Sequence, residues 1–268
     1  MKRFREIKHF ALDLDGTLYL GGRLFEVTLP FLSRLNERGL GRTFFTNNSS
    51  KSSRQYVKKL NELGITATEA DLYSSTHATM DYLRSVHPRV KRLFVLGTPA
   101  LREEFSESGY HVCGDKETDE PDAVVVGFDP TMTYERACRA AWWISRGRPF
   151  VATNPDRVCP TDEPTVLVDC GSICEMLKHA TGVAPEAFCG KPEKWMMEGV
   201  LRRHNLKPEQ VAVVGDRIYT DMAMAQRAGA MSILVLSGET TEAQAHAAVP
   251  APDLVVKDVG ELAKLLAE

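Results

Sequence analysis

The sequence predicts an α/β fold in which the strands of a largely parallel sheet are joined by crossover helices. Short runs of apolar, β-branched or aromatic residues alternate with longer amphipathic stretches that end in glycine. The apolar runs are nearly continuous, which indicates strands that are covered on both faces. With 268 residues, 43% of them hydrophobic, the chain can bury one large core or two of moderate size.

The first elements are predicted at the amino-terminal end of the chain. Residues 8–14 form a short apolar run that is typical of a strand. Residues 28–38 carry apolar side chains at helical spacing, and Gly39 is a typical helix stop. A second strand is expected at 42–46, and a second helix at 52–63.

The same alternation continues through the rest of the chain. Apolar runs predict strands, and amphipathic stretches predict the helices between them. The further strands are expected at 91–96, 123–128, 149–153, 211–214 and 231–236, and the further helices at 99–108, 133–146, 171–181 and 220–228.

Charge and cysteine content narrow the class of function. The 33 basic residues stand against 36 acidic ones without a dense basic run, so neither a nucleic acid nor a membrane is expected as a partner. The six cysteines contain no CxxC pair and are expected to be reduced. Asp13 and Asp15 interrupt the apolar stretch that a signal peptide needs, and no apolar run approaches the ~18 residues that cross a bilayer. We therefore expect a cytoplasmic protein that acts on a small molecule.

Two carboxylates stand where the first predicted strand gives way to a loop. Asp13 and Asp15 are two positions apart, so an extended backbone would place both on one face. Two like charges buried together need a cation, a reacting phosphate or a proton to compensate them. A simple turn is the alternative, since Asp-Gly is a frequent turn dipeptide and Asp15 could cap the following segment.

Two further segments offer groups that can bind an anion. Thr46 and Asn47 follow the second predicted strand, and their hydroxyl and amide donors suit a phosphate oxygen. Such residues also close turns or cap helices. Lys191 lies between glycine and proline just before a helix, where an ammonium group can hold an anion, although most lysines are solvated surface residues.

The last candidate pair follows the strand at 211–214. Asp216 stands at the end of this strand, and Asp221 begins a helix, where it could also merely stabilise the amino terminus. Converging with Asp13 and Asp15, these acids would form an oxygen-only site that favours magnesium over zinc. The sequence has no HExxH motif, no Cys-His cluster and no GxxxxGK[ST] motif.

In this order, the four segments resemble the motifs of the haloacid dehalogenase superfamily of phosphohydrolases. DLDGT at 13–17 resembles the first motif, Thr46-Asn47 the second, Lys191 the third and GDRIYTD at 215–221 the fourth. The segments TNNSS, ATNPD and GKP resemble, more narrowly, the subfamily of NagD-like phosphatases and p-nitrophenyl phosphatases.

The resemblance implies a Rossmann-like parallel-sheet core with an inserted smaller α/β cap domain. The cap lies between the second and third motifs in this subfamily. We therefore expect core residues at 1–78 and 180–268 and an inserted cap at 79–179.

The resemblance also implies residue roles in magnesium-dependent hydrolysis of small phosphate monoesters. Asp13 would be the nucleophile that forms an aspartyl-phosphate, and Asp15 the general acid and base, which suits an alkoxide leaving group that needs a proton. The groups expected to hold Mg²⁺ are Asp13, the backbone carbonyl of Asp15, Asp216 and Asp221, and those expected to hold the phosphoryl oxygens are Thr46, Asn47 and Lys191.

The predicted cap contains a segment that resembles the substrate-facing part of related caps. Its candidate residues are Asn154, Asp156 and Cys159. Pyridoxal-phosphate phosphatases of the group have a histidine where Cys159 precedes Pro160, which argues against that substrate. A small, half-buried packing residue is the favoured interpretation of Cys159 over a chemical role. The expected substrates are nucleoside monophosphates, sugar phosphates, glycerol or glycolate phosphates and, in vitro, p-nitrophenyl phosphate.

Three rival functions fit parts of the pattern. A phospho-receiver domain also clusters acids at strand ends, but it is about half this length. A phosphate-binding protein without activity would lack one of the acids, and none is missing. A Rossmann dehydrogenase would need a GxGxxG motif after the first strand, where this sequence has DLDGTLY instead.

The expected partner is a small phosphorylated metabolite, and a homodimer is possible.

Overall fold

The computed structural model describes residues 3–159, 161 and 163–267, which form two compact units. The first unit comprises the chain up to Thr46, the segment Val57–Tyr73 and the chain from Lys191 onward. The second unit comprises Asn47–Tyr56 and Ser74–Gly190. Each unit has its own parallel sheet.

Strands and helices alternate through both units. The strands are β1 (His9–Asp13), β2 (Tyr19–Leu20), β3 (Arg23–Leu24), β4 (Gly41–Thr46), β5 (Leu72–Ser74), β6 (Arg92–Leu96), β7 (His111–Val112), β8 (Ala123–Val126), β9 (Phe150–Ala152), β10 (Val158–Cys159), β11 (Leu167–Val168), β12 (Ala187–Phe188), β13 (Val211–Gly215), β14 (Met231–Val235) and β15 (Leu254–Val256). The helices are α1 (Thr28–Glu37), α2 (Ser53–Glu62), α3 (Ser75–Val86), α4 (Pro99–Glu107), α5 (Tyr134–Ser145), α6 (Cys170–Thr181), α7 (Lys194–His204), α8 (Ala223–Ala228), α9 (Glu242–Ala247) and α10 (Val259–Leu265).

The first unit is built on a six-stranded sheet in the order β15-β14-β13-β1-β4-β5. Strand β1 lies between β13 and β4 and is parallel to both, with Leu12 opposite Val214 and Asp13 opposite Phe45. The chain turns in opposite directions on the two sides of β1, and ligands bind at such switch points in open parallel sheets. The register therefore brings the carboxyl ends of β1, β4 and β13 to one edge.

The strands of this sheet are buried along their length. Every residue of β13 and β14 is buried, and so are the first four residues of β1. Parallel strands covered on both faces read as continuous apolar runs, so the sequence pattern and the burial agree.

The second unit contains a five-stranded sheet in the order β12-β9-β8-β6-β7, whose pairings are parallel. Helices α5 and α6 supply Trp143, Ile173 and Leu177 to its core, which also holds Phe94 and Val124. A short antiparallel hairpin, β10 with β11, stands apart from this sheet. The α/β fold class predicted from the sequence is confirmed.

One predicted helix begins later than expected. The helix expected at 220–228 starts at Ala223, because residues 218–222 form a π-helical turn in which the Met222 N–H donates to the Arg217 carbonyl (3.2 Å). π-Turns occur frequently at functional sites. The predicted domain bounds stay a prediction; residues 47–56, 74–78 and 180–190 fall in the second unit.

Within the part of the chain that the structure describes, no helix is both long enough and apolar enough to cross a membrane.

A buried histidine in β1 predicts a pH-dependent stability. His9 Nε2 lies 2.8 Å from Thr43 Oγ1, which lies 3.0 Å from Nε2 of His204. Burial, and secondarily the neighbouring His204, lower the pKa of His9 to about 4. In the unfolded chain His9 takes up a proton near pH 6.5, but in the folded chain it does so only near pH 4. The free energy of unfolding therefore falls as the pH is lowered from 7 through this range.

We expect the free energy of unfolding to fall by about 2 kcal/mol from this group between pH 7 and pH 5. Urea unfolding of wild type and His9→Gln at both pH values measures this change. The glutamine variant cannot be protonated at this position, so its stability should fall less. An equal loss of stability in the two proteins would show that the fold does not lower the pKa of His9.

Candidate active site

Three carboxylates converge at the edge where β1 and β13 end. Asp13 is the last residue of β1, Asp216 directly follows β13, and Asp221 lies in the π-helical turn. One carboxylate oxygen from each residue lies within 4.8 Å of the others. Asp216 and Asp221 are buried, and the Asp13 side chain is only 13% exposed. Acids from two distant segments of the sequence thus share one small volume.

Lys191 is a cation in direct contact with this cluster. Its side chain is buried, and its ammonium group donates to Asp13 Oδ1 and, at 2.7 Å, to Asp221 Oδ1. Burial alone lowers the pKa of Lys191, but the carboxylates of Asp13 and Asp221 more than offset this, and the net pKa is raised. Lys191 is therefore charged at neutral pH.

One ammonium group does not balance three acids. Burial raises the pKa of Asp13, Lys191 opposes this shift, and the charges of Asp221 and Asp216 add to it. Burial and then the charge of Asp221 raise the pKa of Asp216 to about 6. Carboxylates with raised pKa values, packed this closely, are typical of a site that binds a cation.

The cluster also offers an open ligand atom. Among the described residues, Asp216 Oδ1 is buried and has no hydrogen-bond partner. An unsatisfied carboxylate oxygen beside Asp13 and Asp221 suits a hard divalent cation with oxygen ligands. The side chains present therefore fit the metal that the sequence predicts.

Two glycines allow the carboxylates to approach the backbone closely. A Cβ atom on Gly215 would lie 2.3 Å from Cγ of Asp221. Gly16 has φ +81°, and a Cβ there would lie 2.4 Å from Asp216 Oδ2. Both positions therefore require glycine.

Asp15 lies outside the cluster of three carboxylates. Strand β1 ends at Asp13, so the alternation of a strand, on which the sequence argument placed both acids on one face, does not extend to Asp15. Its side chain is 52% exposed, its Oδ1 accepts from the Gly21 N–H at 3.1 Å, and its Oδ2 lies 4.0 Å from Lys59 Nζ. The expected metal contact through its backbone carbonyl stays a prediction.

The second motif is divided between the units. Thr46 is buried at the end of β4, one residue beyond the partner of Asp13 in the sheet register. Asn47 belongs to the second unit, where its Nδ2 donates to Asp156 Oδ2 at 3.0 Å and its carbonyl accepts from Asn154 Nδ2 at 3.0 Å. The sequence placed these two neighbours together, whereas they belong to different units of the structure.

The candidate residues of the predicted cap lie around this loop within the second unit. Asn154 and Asp156 contact Asn47, and Asn48 Nδ2 lies 3.7 Å from the Sγ of Cys159. Pro160, which follows in the same segment, lies outside the described residues. The three candidates therefore form one polar group with the residues that follow Thr46.

The sequence argument missed the loop that follows β14. The Glu239 N–H donates to Asp216 Oδ2 at 2.7 Å, and the Thr240 N–H donates to the Asp216 carbonyl at 3.2 Å. The sequence could have predicted that this loop lies at the site, because it follows a continuous apolar strand, as the segments with Asp13 and Asp216 do.

Comparison with known proteins gives matches along nearly the whole chain. The model of the haloacid dehalogenase-like hydrolases matches residues 10–111, and a model described as HAD-hydrolase-like matches residues 188–262. The acid sugar phosphatase of Staphylococcus aureus is 32% identical over 257 residues, which cover 96% of this chain and 97% of the relative.

Solved structures agree with the sequence matches. The 4-nitrophenylphosphatase of Thermotoga maritima superposes with a TM-score of 0.91 at 39% identity and covers 98% of both chains. NagD of Escherichia coli K-12 has a TM-score of 0.85 at 27% identity, over 95% of this chain and 98% of its own. The resemblance read from the four motifs is confirmed: the chain belongs to the haloacid dehalogenase-like hydrolases and, among them, to the NagD-like phosphatases.

Proposed function

We propose that this phosphatase hydrolyses small phosphate monoesters with Mg²⁺ and an aspartyl-phosphate intermediate on Asp13. The observation that carries the proposal is the buried cluster of Asp13, Asp216 and Asp221 around Lys191, with more negative than positive charge. Such a cluster suits both a divalent cation and a phosphoryl group.

Asp13 is the proposed nucleophile. Lys191 holds one of its carboxylate oxygens, which fixes the side chain at the end of β1. An oxygen of Asp13 forms a bond to phosphorus while the bond from phosphorus to the ester oxygen breaks. The phosphoryl group is thereby transferred to Asp13, and the alcohol leaves.

Asp15 is the proposed acid and base. In the first step it gives a proton to the leaving ester oxygen, and in the second it takes a proton from the water that attacks the aspartyl-phosphate. The second step breaks the bond between Asp13 and phosphorus and releases inorganic phosphate. The exposed position of the Asp15 carboxylate supports this role, because a group that gives and takes protons must exchange with substrate and water.

The cation and the phosphoryl oxygens have separate ligands. Asp13, Asp216 and Asp221, with the backbone carbonyl of Asp15, would hold Mg²⁺, which when bound offsets the charge of the carboxylates and the phosphoryl group. The phosphoryl oxygens would be held by Thr46, Asn47 and Lys191. The charged state of Lys191 supports its part in this set.

Residues 79–179, which lie within the second unit, are the proposed cap, and this cap would select the leaving group. Asp156 supplies a half-buried carboxylate suited to a hydroxylated substrate, and the Cys159 Sγ lies near Asn48 in the same unit. Asn154 would position these groups, because it is buried and its side chain hydrogen-bonds to the Asn47 carbonyl and the Asp156 N–H. A sugar phosphate is the favoured physiological class, because the staphylococcal relative is an acid sugar phosphatase. p-Nitrophenyl phosphate serves as the in vitro substrate, in line with the Thermotoga relative.

The proposal is tested by phosphate release from a panel of p-nitrophenyl phosphate, sugar phosphates and nucleoside monophosphates. We expect release with Mg²⁺, its loss in chelator and its return on addition of excess Mg²⁺. Release that continues unchanged in chelator would contradict a role for the cation. Binding of Mg²⁺ without release from any ester would favour a phospho-receiver or a phosphate-binding protein instead.

A further inference from the structure

The loop of residues 237–240 closes around the side chain of Asp216. The Glu239 N–H donates a hydrogen bond to Asp216 Oδ2 at 2.7 Å, and the Thr240 N–H donates one to the backbone carbonyl of Asp216 at 3.2 Å. The other carboxylate oxygen, Oδ1, is buried and has no hydrogen-bond partner among residues 3–159, 161 and 163–267. The two oxygens of the Asp216 carboxylate therefore differ: Oδ2 accepts a hydrogen bond, whereas Oδ1 is available to bind a cation.

Two glycine backbones confine the bonded oxygen. A Cβ atom on Gly238 would lie 2.0 Å from Asp216 Oδ2, and one on Gly16 would lie 2.4 Å from the same atom. The Ser237 hydroxyl donates to the Gly16 carbonyl at 2.7 Å and so joins the two segments. The carboxylate group therefore has little room to rotate while the loop stays in place.

The side chain of Glu239 fixes this loop to the segment that carries the acids. Its Oε2 accepts from Arg217 Nε at 2.9 Å, and its Oε1 accepts from the Tyr219 hydroxyl at 2.7 Å. Arg217 and Tyr219 lie between Asp216 and Asp221 in the chain. The Arg217 side chain is only 16% exposed and the Glu239 side chain is 46% exposed, so this ion pair is shielded from solvent on the Arg217 side only.

We propose that Glu239 is a positioning residue for the divalent cation. Its side chain locks the loop through Arg217 and Tyr219, its backbone N–H binds Asp216 Oδ2, and Oδ1 is thereby presented to the cation. The inference rests on the proposed function, since it takes Asp216 as a ligand of the cation. Partners of this kind, which orient a metal-binding side chain, typically change metal affinity by about 10–100-fold.

Direct titration with Mn²⁺ in the absence of substrate, followed by electron paramagnetic resonance of the free ion, tests the proposal. We expect Glu239→Ala to weaken Mn²⁺ binding by about 10-fold and Glu239→Gln, which keeps an acceptor oxygen, to weaken it less. In turnover, the Mg²⁺ concentration for half-maximal rate should rise by the same factor, with kcat at saturating Mg²⁺ within about twofold of wild type. Glu242→Ala is the matched control, because it removes an exposed glutamate three positions further along the chain.

Three outcomes separate the possible accounts. If wild type binds Mn²⁺ and Glu239→Ala binds it equally well, the positioning role is wrong and the proposed function stands. If Glu239→Ala does not fold, as judged by circular dichroism, Tyr219→Phe, which removes only the hydroxyl that donates to Glu239 Oε1, carries the test together with Glu239→Gln, and an unchanged Mn²⁺ affinity in both overturns the inference. If wild type itself binds no Mn²⁺, the inference and the metal-dependent function fail together.

Discussion

Asp13→Asn is expected to lower kcat by about 10⁴-fold or more with p-nitrophenyl phosphate, because an amide cannot form the bond to phosphorus. Loss of a catalytic nucleophile costs rates of this order when the rest of the site is intact. Asparagine has nearly the same shape as aspartate, so Lys191 and Asp221 can keep their positions. Steady-state nitrophenol release at saturating substrate and Mg²⁺ measures the effect.

The same variant is expected to fold at least as well as wild type when no cation is bound. Burial raises the pKa of Asp13, and Asp216 and Asp221 add like charge, so the ionised side chain is unfavourable in the folded chain despite Lys191. Thermal melts of both proteins in chelator make the comparison. A folded Asp13→Asn that retains more than about one hundredth of the wild-type kcat would contradict the assignment of the nucleophile.

Asp15→Asn is expected to release one equivalent of nitrophenol quickly and then nearly stop. p-Nitrophenolate leaves without needing a proton, so phosphoryl transfer to Asp13 continues in this variant. Attack by water on the aspartyl-phosphate needs the base, and its loss should lower the steady-state rate by about 10³-fold. Stopped-flow absorbance resolves the fast release from the slow steady state.

A sugar phosphate provides the contrasting substrate for Asp15→Asn. Its alkoxide leaving group needs the proton that Asp15 supplies, so the variant should show no fast release of the sugar alcohol. Rapid quench measures that alcohol directly. If Asp15→Asn turns over both substrates at wild-type rates, Asp15 is not the acid and base.

The central acids could be predicted from sequence because their positions follow from strand ends. Asp13 and Asp216 each end a continuous apolar run, and adjacent parallel strands bring such ends to one edge. Lys191 was predicted through motif order, and the structure shows its contacts to Asp13 and Asp221. A sequence carries no distances, so which carboxylates share the lysine could not be predicted.

Other features depend on tertiary contacts that leave little local signal. The amide of Glu239 reaches Asp216 from 23 positions along the chain, and only the sheet order brings them together. The π-helical turn at 218–222 has the composition of an ordinary helix start. Strands β7 and β12 have two residues each, which is too short for a periodic pattern.

The site of phosphorylation in Asp15→Asn tests the central claim most directly. The variant is mixed with p-nitrophenyl phosphate and Mg²⁺, quenched in acid during the fast phase, digested and mapped by mass spectrometry. The account predicts one phosphoryl group, on Asp13, in an amount equal to the nitrophenol released, and none in chelator. Nitrophenol release without a phosphoryl group on Asp13, or with one on another residue, would contradict it.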